Sequence, residues 1–418
     1  MKQYDSYKDS GVEWIGEVPS HWEIVPLKFT GEFGNGLTYS PKDVVDYGIL
    51  VLRSSNIQNS SLSFEDNVYV SNVSKALLVH KGDVIICSRN GSAALVGKSA
   101  FIDKDINATF GAFMMRYIPK INKKYGFYLF QTAIGRYKGY FATTTINQLT
   151  KSTIGEMKVP LANTEEQTAI VDFLDKKCSE IDHVISAQQK RIALLQELKQ
   201  SVITHAVTKG LDPNVEMDAA EEDWINRLPA SWGKAKLKYY IHLVNGRAYS
   251  QPELLSEGKY KVLRVGNFFT NDTWYYSNME LEEDKYCNNG DLLYAWSASF
   301  GPYIWNQDKT IYHYHIWKVC YKECMDKMYV YYLLKAIINF KLGDIHGSTM
   351  VHITMESMNN SVIPIPSFDE QKDIATFLDK KCASIDNALT KAQHQVELLQ
   401  KYKQSLITEV VTGKRKVC

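Results

Sequence analysis

The sequence predicts an α+β protein in which two globular α/β domains are carried by two long helices paired as an antiparallel coiled coil. The whole is an internal duplication with pseudo-two-fold character. Three observations carry this prediction: a long segment recurs almost unchanged, a shorter motif recurs ahead of each copy, and both long segments have helical apolar periodicity. Glu166-Gln167 opens EQTAIVDFLDKKCSEID, and Glu370-Gln371 opens EQKDIATFLDKKCASID. The offset of 204 residues (167 to 371) holds through Lys199-Gln200-Ser201 against Lys403-Gln404-Ser405 and on to Val207-Thr208 against Val411-Thr412. Chance does not produce a match of that length.

In chain order, the elements are a first globular domain over 1–162, a long helix over 163–210, a second globular domain over 211–366 and a second long helix over 367–418. The globular domains begin alike. Glu13-Trp14-Ile15, Pro19, Trp22 and Leu27-Lys28 recur as Asp223-Trp224-Ile225, Pro229, Trp232 and Leu237-Lys238. Their middles share only traces, such as Leu52-Arg53 with Leu263-Arg264 and Gly82-Asp83 with Gly290-Asp291. One scaffold with two unlike middles points to one task performed on two different targets. Drift without division of labour is the alternative.

The helices carry their own start and stop signals. Asn163 with Glu166, and Ser367 with Glu370, have the spacing of a capping box; Pro160, Pro364 and Pro366 precede them in extended chain, and Gly210 and Gly413 mark the ends. Leu174, Ile181, Leu195 and Val202 fall on one seven-residue series interrupted by Gln188, with Ile170, Val184 and Leu198 on the neighbouring series. In the second copy Leu378, Ile385, Ala392, Leu399 and Leu406 occupy the first series. A helix from Thr164 to Lys209 would be roughly 65–70 Å long at 1.5 Å per residue. One such helix leaves its stripe uncovered, so the two stripes are expected to pack on each other, antiparallel. Docking of each helix onto another protein is the alternative, and Ile192, Ile203 and Phe173 offer a second apolar face for it.

Composition narrows the class. At 418 residues the chain needs at least two cores, and 45% hydrophobic with 23% charged residues is ordinary for a soluble protein. The first residues lack the apolar core of a signal peptide, and the run from Met328 to Phe340 is too short to span a bilayer. Seven scattered cysteines suit reduced thiols in a cytoplasm. The net charge of +1 is low for a protein that would wrap nucleic acid unaided. Charge is then segregated onto one face, or partners supply phosphate contacts.

Motifs for chemistry fail one by one. Gly91 to Gly97-Lys98-Ser99 has five residues between its glycines where a phosphate loop has four. Phe33-Gly34-Asn35-Gly36 lacks the strand–helix context of a methyl-donor loop, and no Asn- or Asp-Pro-Pro-aromatic tetrad exists to orient an exocyclic amine. His313, His315, Cys320 and Cys324 have metal-like spacing, but the first half carries no ligand residues from Phe110 to Pro119. An aromatic-rich strand pair is the expectation there, with no metal.

The opening Tyr7-Lys8-Asp9-Ser10-Gly11-Val12-Glu13-Trp14-Ile15-Gly16-Glu17-Val18-Pro19-Ser20-His21-Trp22, the Glu-Gln and Phe-Leu-Asp motifs of each helix, and the closing Ser405 to Lys414 together resemble type I restriction–modification specificity subunits over the whole length. That resemblance implies two target-recognition domains, each reading one half of a split, asymmetric double-stranded DNA site. It implies helices that set the spacer and dock two modification subunits. Those partners would bring S-adenosylmethionine and methylate adenine, and restriction subunits would add ATP- and Mg-dependent translocation and cleavage. This chain would then be a cytoplasmic, non-catalytic DNA-binding subunit without a cofactor of its own. A self-contained methyltransferase or nuclease, and a pure coiled-coil scaffold, stay open as alternatives.

Base edges are read by Arg at guanine and by Asn or Gln at adenine, which directs attention to polar loop residues inside the variable middles. In the first half these are Arg53, Asn56, Arg89, Asn90 and Lys98, with Thr144, Thr145 and Gln148 ahead of the long helix. In the second half they are Arg247, Tyr249, Arg264, Asn267, Ser297 and Ser299, with Ser348, Thr349 and His352. Arg53 and Arg264 occur in both halves and are equally suited to framework salt bridges. Cys87 to Gly91 is polar and basic where Ala295 to Gly301 is aromatic and uncharged, so the two targets are expected to differ.

Overall fold

A computed structural model describes residues 3–137, 148–222, 224–269, 271–297, 299–343 and 353–417. Among them are the helices α1 (Lys123–Tyr137), α2 (Lys151–Gly155), α3 (Thr164–Lys209), α4 (Lys327–Gly343), α5 (Met355–Asn359) and α6 (Phe368–Val411). The chain forms two compact units, Met1–Gln188 with Gln395–Cys418, and Gln189–His394. Each unit therefore holds one end of α3 and the opposite end of α6. The apolar run that begins at Met328 forms α4, and among the described residues no helix is long and apolar enough to cross a membrane.

In the first unit the front motif is a hairpin of Tyr7–Asp9 with Glu17–Pro19, and Glu23–Pro26 pairs antiparallel with Lys158–Leu161 just ahead of α3. Between them stand two four-stranded sheets. One is antiparallel, in the order Ser99–Phe101, Val84–Cys87, Met114–Pro119, Gly31–Asn35. The other runs Ala108–Phe110, Ile49–Leu52, Tyr69–Val70, Val44–Val45, its first pair parallel. Val84–Cys87 is buried on both faces, and the two-residue period of a strand divides it between two cores. Val84 and Ile86 join α1, α3 and α6, whereas Ile85 and Cys87 join a smaller core with Leu52, Ile57 and Phe110.

The second unit repeats the plan. Its antiparallel sheet runs Ile241–Asn245, Ile316–Tyr321, Leu292–Ala295, Gly301–Ile304, and its mixed sheet runs Tyr275–Ser277, Tyr260–Leu263, Thr310–Tyr312, Tyr286–Cys287. Leu292 and Tyr294 face the large core, Leu293 and Ala295 the small one.

The duplicated motifs turn out to be clasps. Glu166 Oε2 accepts the Trp22 indole N–H at 2.9 Å, and Glu370 Oε1 accepts that of Trp232 at 3.2 Å. Gln167 takes the Asn122 amide and donates to the Ala162 carbonyl; Gln371 does the same with Asp326 and Pro366. Asp175 and Asp379 accept the hydroxyls of Tyr128 and Tyr332. The Glu-Gln and Phe-Leu-Asp letters thus fasten each helix start to its own sheet domain. Gly413, with φ +71°, lies so close to Pro19 that a Cβ would come within 2.2 Å of its Cδ, so only glycine ends α6 there.

Capping departs from expectation in one copy. Ser367 and Glu370 form the complete reciprocal box, Glu370 giving its other oxygen to Trp232, but Asn163 caps α3 alone at 2.9 Å, because His21 engages both oxygens of the Glu166 carboxylate.

The helices run antiparallel within each unit. Lys403 reaches Asp182 at 2.6 Å while Arg415 lies over the Phe173 ring, and in the other unit Lys199 reaches Asp386 at 2.6 Å while the Tyr329 hydroxyl donates to the carbonyls of Val207 and Pro364. Leu174, Ile181, Leu378, Ile385 and Leu406 are buried, and Leu195, Val202 and Leu399 are half-buried. Val184 and Leu198 are 47% and 49% exposed, which corrects their placement in the seam. A straight helix drifts about 20° per heptad from a 3.5-residue repeat, so the neighbouring series leaves the contact along its length. Lys403→Ala should cost under about 1 kcal/mol in chemical denaturation, because Asp182 is 54% exposed and its charge is screened.

Candidate nucleic-acid interface

Both units build the same tip from three chain segments. Gly36 and Gly246 pass so close to a neighbouring backbone that a Cβ would meet the carbonyl oxygens of Gly111 and His313 at 2.2 and 2.4 Å. Isolated parallel bridges then join Leu37 to Gly111 and Arg247 to His313. The amide of Ser88 donates to the Phe113 carbonyl at 2.9 Å, and that of Trp296 to the His315 carbonyl at 3.1 Å. These matched bonds align Gly111-Ala112-Phe113 with His313-Tyr314-His315, and Arg89 with Ser297.

In the first unit Arg89 is exposed and lies over the Phe113 ring at 5.3 Å, and Phe113 is itself 60% exposed. Among the described residues Arg89 has no carboxylate partner. Gln148 bridges to it, Asn90 donates to the Ser54 hydroxyl at 3.2 Å, and Lys98 reaches the Ser54 carbonyl at 3.4 Å. Arg53, Arg89 and Asn90 share a cleft of about 1230 Å³ with Tyr39, Asp66 and Phe113. The structure therefore gathers five of the expected readers at one place.

Two asparagines serve the frame instead. Asn56 is completely buried; its oxygen takes the Arg53 amide at 2.9 Å and its NH₂ donates to the carbonyls of Ser63 and Asp66. Asn267 closes the matching loop on the Arg264 amide, Asn271 and Thr273. A buried amide with its bonds already made has nothing left for a base, which corrects Asn56 as a reader. Arg53 pairs with Asp66 at 2.7 Å, and this guanidinium holds the Asp66 carboxyl below its usual range. Arg264 is exposed over Tyr275.

In the second unit Arg247 is tied to Glu253 at 2.6 Å and stacks on Tyr249. The Arg247 bond, with help from the Ser250 amide, holds Glu253 down to about 2. Tyr249 in turn stacks on His313, its hydroxyl buried and without a hydrogen-bond partner among the described residues. Ser297 and Ser299 bond through their backbones on the same loop. Thr144, Thr145, Ser348, Thr349 and His352 lie outside the described residues.

The sequence reading passed over His313, Tyr314 and His315 as tip residues. Their rings lie 4.1–4.7 Å apart, and the Trp296 indole donates to the Tyr314 carbonyl at 2.7 Å. No sequence signal marked them, because their match to Gly111-Ala112-Phe113 appears only in the backbone bonds of the tip. Burial pushes His313 down to about 4, with His315 and Arg264 adding to the effect. An unfolded histidine titrates near 6.5, so the unfolded chain takes this proton first and His313 withdraws stability as the pH falls from about 6.5 to about 4. A proton NMR titration should find its ring still neutral at about pH 5.5. Among the described residues no group of three or more His, Cys, Asp or Glu is arranged to hold a metal, and Cys320 and Cys324 are exposed.

The profile described as "Type I restriction modification DNA specificity domain" matches residues 19–192 and again 229–399. A Methanocaldococcus jannaschii protein, provisionally named the type I restriction enzyme MjaX specificity subunit, is 26% identical over 96% of both chains. The EcoKI specificity subunit of Escherichia coli K12 is 25% identical over 67% of this chain and 62% of its own. A chain from a structure on complex assembly and conformational transition of the type I R-M system has the same fold, with a TM-score of 0.69 at 15% identity over 94% of this chain and 98% of that one. With both of its repeats matched, the chain belongs to the type I restriction–modification DNA specificity family.

Proposed function

We propose that this chain is the DNA-sequence specificity subunit of a type I restriction–modification complex, with each unit reading one half of a bipartite, asymmetric site in double-stranded DNA. One observation carries the reading: the same backbone tip is built twice and furnished differently, with Arg89, Asn90 and Phe113 in one unit and Ser297, Tyr314 and His315 in the other. The continuous helices α3 and α6 set the spacer between the halves. They also dock two modification subunits. Leu194 and Leu198 on α3 and Leu398 and Tyr402 on α6 are 49–64% exposed at positions related by the duplication, which suits two copies of one partner. Chemistry belongs to the partners: modification subunits bring S-adenosylmethionine and methylate adenine, and restriction subunits use ATP and Mg. The chain itself needs no cofactor and works in the cytoplasm. Its net charge of +1 leaves part of the phosphate contact to those partners.

The test is to incubate the chain, with and without modification subunit, with S-adenosylmethionine and a randomised DNA pool, then sequence the methylated molecules. The expected product is one motif with two unlike halves, formed only with the partner present. Methyl transfer by the chain alone, or a single uninterrupted motif, would overturn the assignment.

A further inference from the structure

The two tips differ most at one place. Where the first unit carries Gly111-Ala112-Phe113 with exposed Arg89 over the Phe113 ring, the second carries His313-Tyr314-His315 with Ser297 at the matching backbone position. We infer that the His313–His315 turn is the specificity-determining element of the second unit, and that it reads a purine edge through neutral hydrogen-bonding groups where the first unit uses the cation of Arg89. This rests on the reading that each unit recognises one half-site.

Three features support it. The turn is held rigidly from behind by the Gly246 close approach, the Trp296 amide to the His315 carbonyl, and the Trp296 indole to the Tyr314 carbonyl. A fixed frame is what base reading requires, since discrimination depends on placed donors and acceptors. Second, the arginines near this turn are engaged by its frame: Arg247, bridged to His313, is tied to Glu253 and to the Tyr249 ring, and Arg264 lies over the Tyr275 ring. Third, the protonation state is defined. The His315 amide donates to His313 Nδ1 at 3.4 Å, so the proton of the neutral ring sits on Nε2 as a donor. Burial keeps that ring neutral at physiological pH. A neutral N–H donor beside a 38%-exposed tyrosine fits acceptors such as N7 and O6 on the major-groove edge of a purine.

The alignment supplies the test variants. His315→Phe installs the residue found at Phe113, and Tyr314→Ala removes an exposed side chain. Each full-length variant, assembled with its modification subunits, is presented with a pool randomised in both half-sites, and the bound DNA is sequenced. Both variants should lose at least tenfold preference at one or two positions of one half-site and keep the other half-site intact. Arg89→Ala in the same assay should alter the opposite half-site. Unchanged preference in both variants, or equal weakening on every sequence, would overturn the inference while leaving the two-reader assignment standing. A wild-type complex that selects no bipartite motif would instead overturn the assignment on which it rests.

Discussion

Trp22→Ala should destabilise the first unit by about 3–5 kcal/mol, the cost of emptying a large aromatic site. Trp22 is fully buried against Tyr4, below the closing Gly413 of α6, and its indole N–H is donated to Glu166 at 2.9 Å. Removal also leaves the Glu166 carboxylate, itself nearly buried, with His21 as its remaining side-chain partner. A domain is stable by only about 5–15 kcal/mol, so this is a large share of the total. Hydrogen exchange should show the loss in residues 3–137 and at the start of α3, with amides of residues 224–343 unchanged. Trp22→Phe keeps most of the bulk and loses the donor, and should cost about 1–3 kcal/mol. A loss below about 1 kcal/mol for the alanine variant would show that the clasp does not hold the unit together.

Arg89→Ala should have the largest effect on recognition in the first unit. An arginine set on a base edge contributes about 1–3 kcal/mol of discrimination, on the order of five- to 150-fold in affinity. The structure leaves its guanidinium over Phe113, exposed and without a carboxylate among the described residues. Fluorescence anisotropy with the assembled complex should show the loss on the preferred sequence and relaxed preference at one position. Lys98→Ala is the contrast. Losing a lysine that reaches phosphate weakens binding to all sequences alike and lowers the salt dependence. If Arg89→Ala behaves like Lys98→Ala, Arg89 is a backbone contact and the base reader lies elsewhere in the cleft.

Several features are legible in the sequence because they are local or repeated. The helices announced themselves through period, caps and terminal glycines, and the duplication through its fixed offset. The exposed Arg89 and its neighbours could be named as polar loop residues. Asn56 could not be judged in the same way. Polar and in a loop by sequence, it is sealed inside by the carbonyls of Ser63 and Asp66, because burial depends on chain segments meeting from afar. His313 to His315 were missed for a related reason: they read as a metal-like spacing, and their match to Gly111 to Phe113 exists only through backbone bonds at the tip.

The sequence by itself determined that the protein is two unlike variations on one α/β plan, each tied to a long amphipathic helix. Periodicity and repetition need no knowledge of what touches what. Tertiary structure alone decided which residues clasp, which stand exposed at the tips and which merely close a loop. It placed the end of α6 under the opening motif of the chain, turned Glu166 from its cap to His21, and set Val184 and Leu198 outside the seam. Those outcomes depend on competition among distant partners for the same few hydrogen bonds and the same apolar surface, which no local pattern encodes.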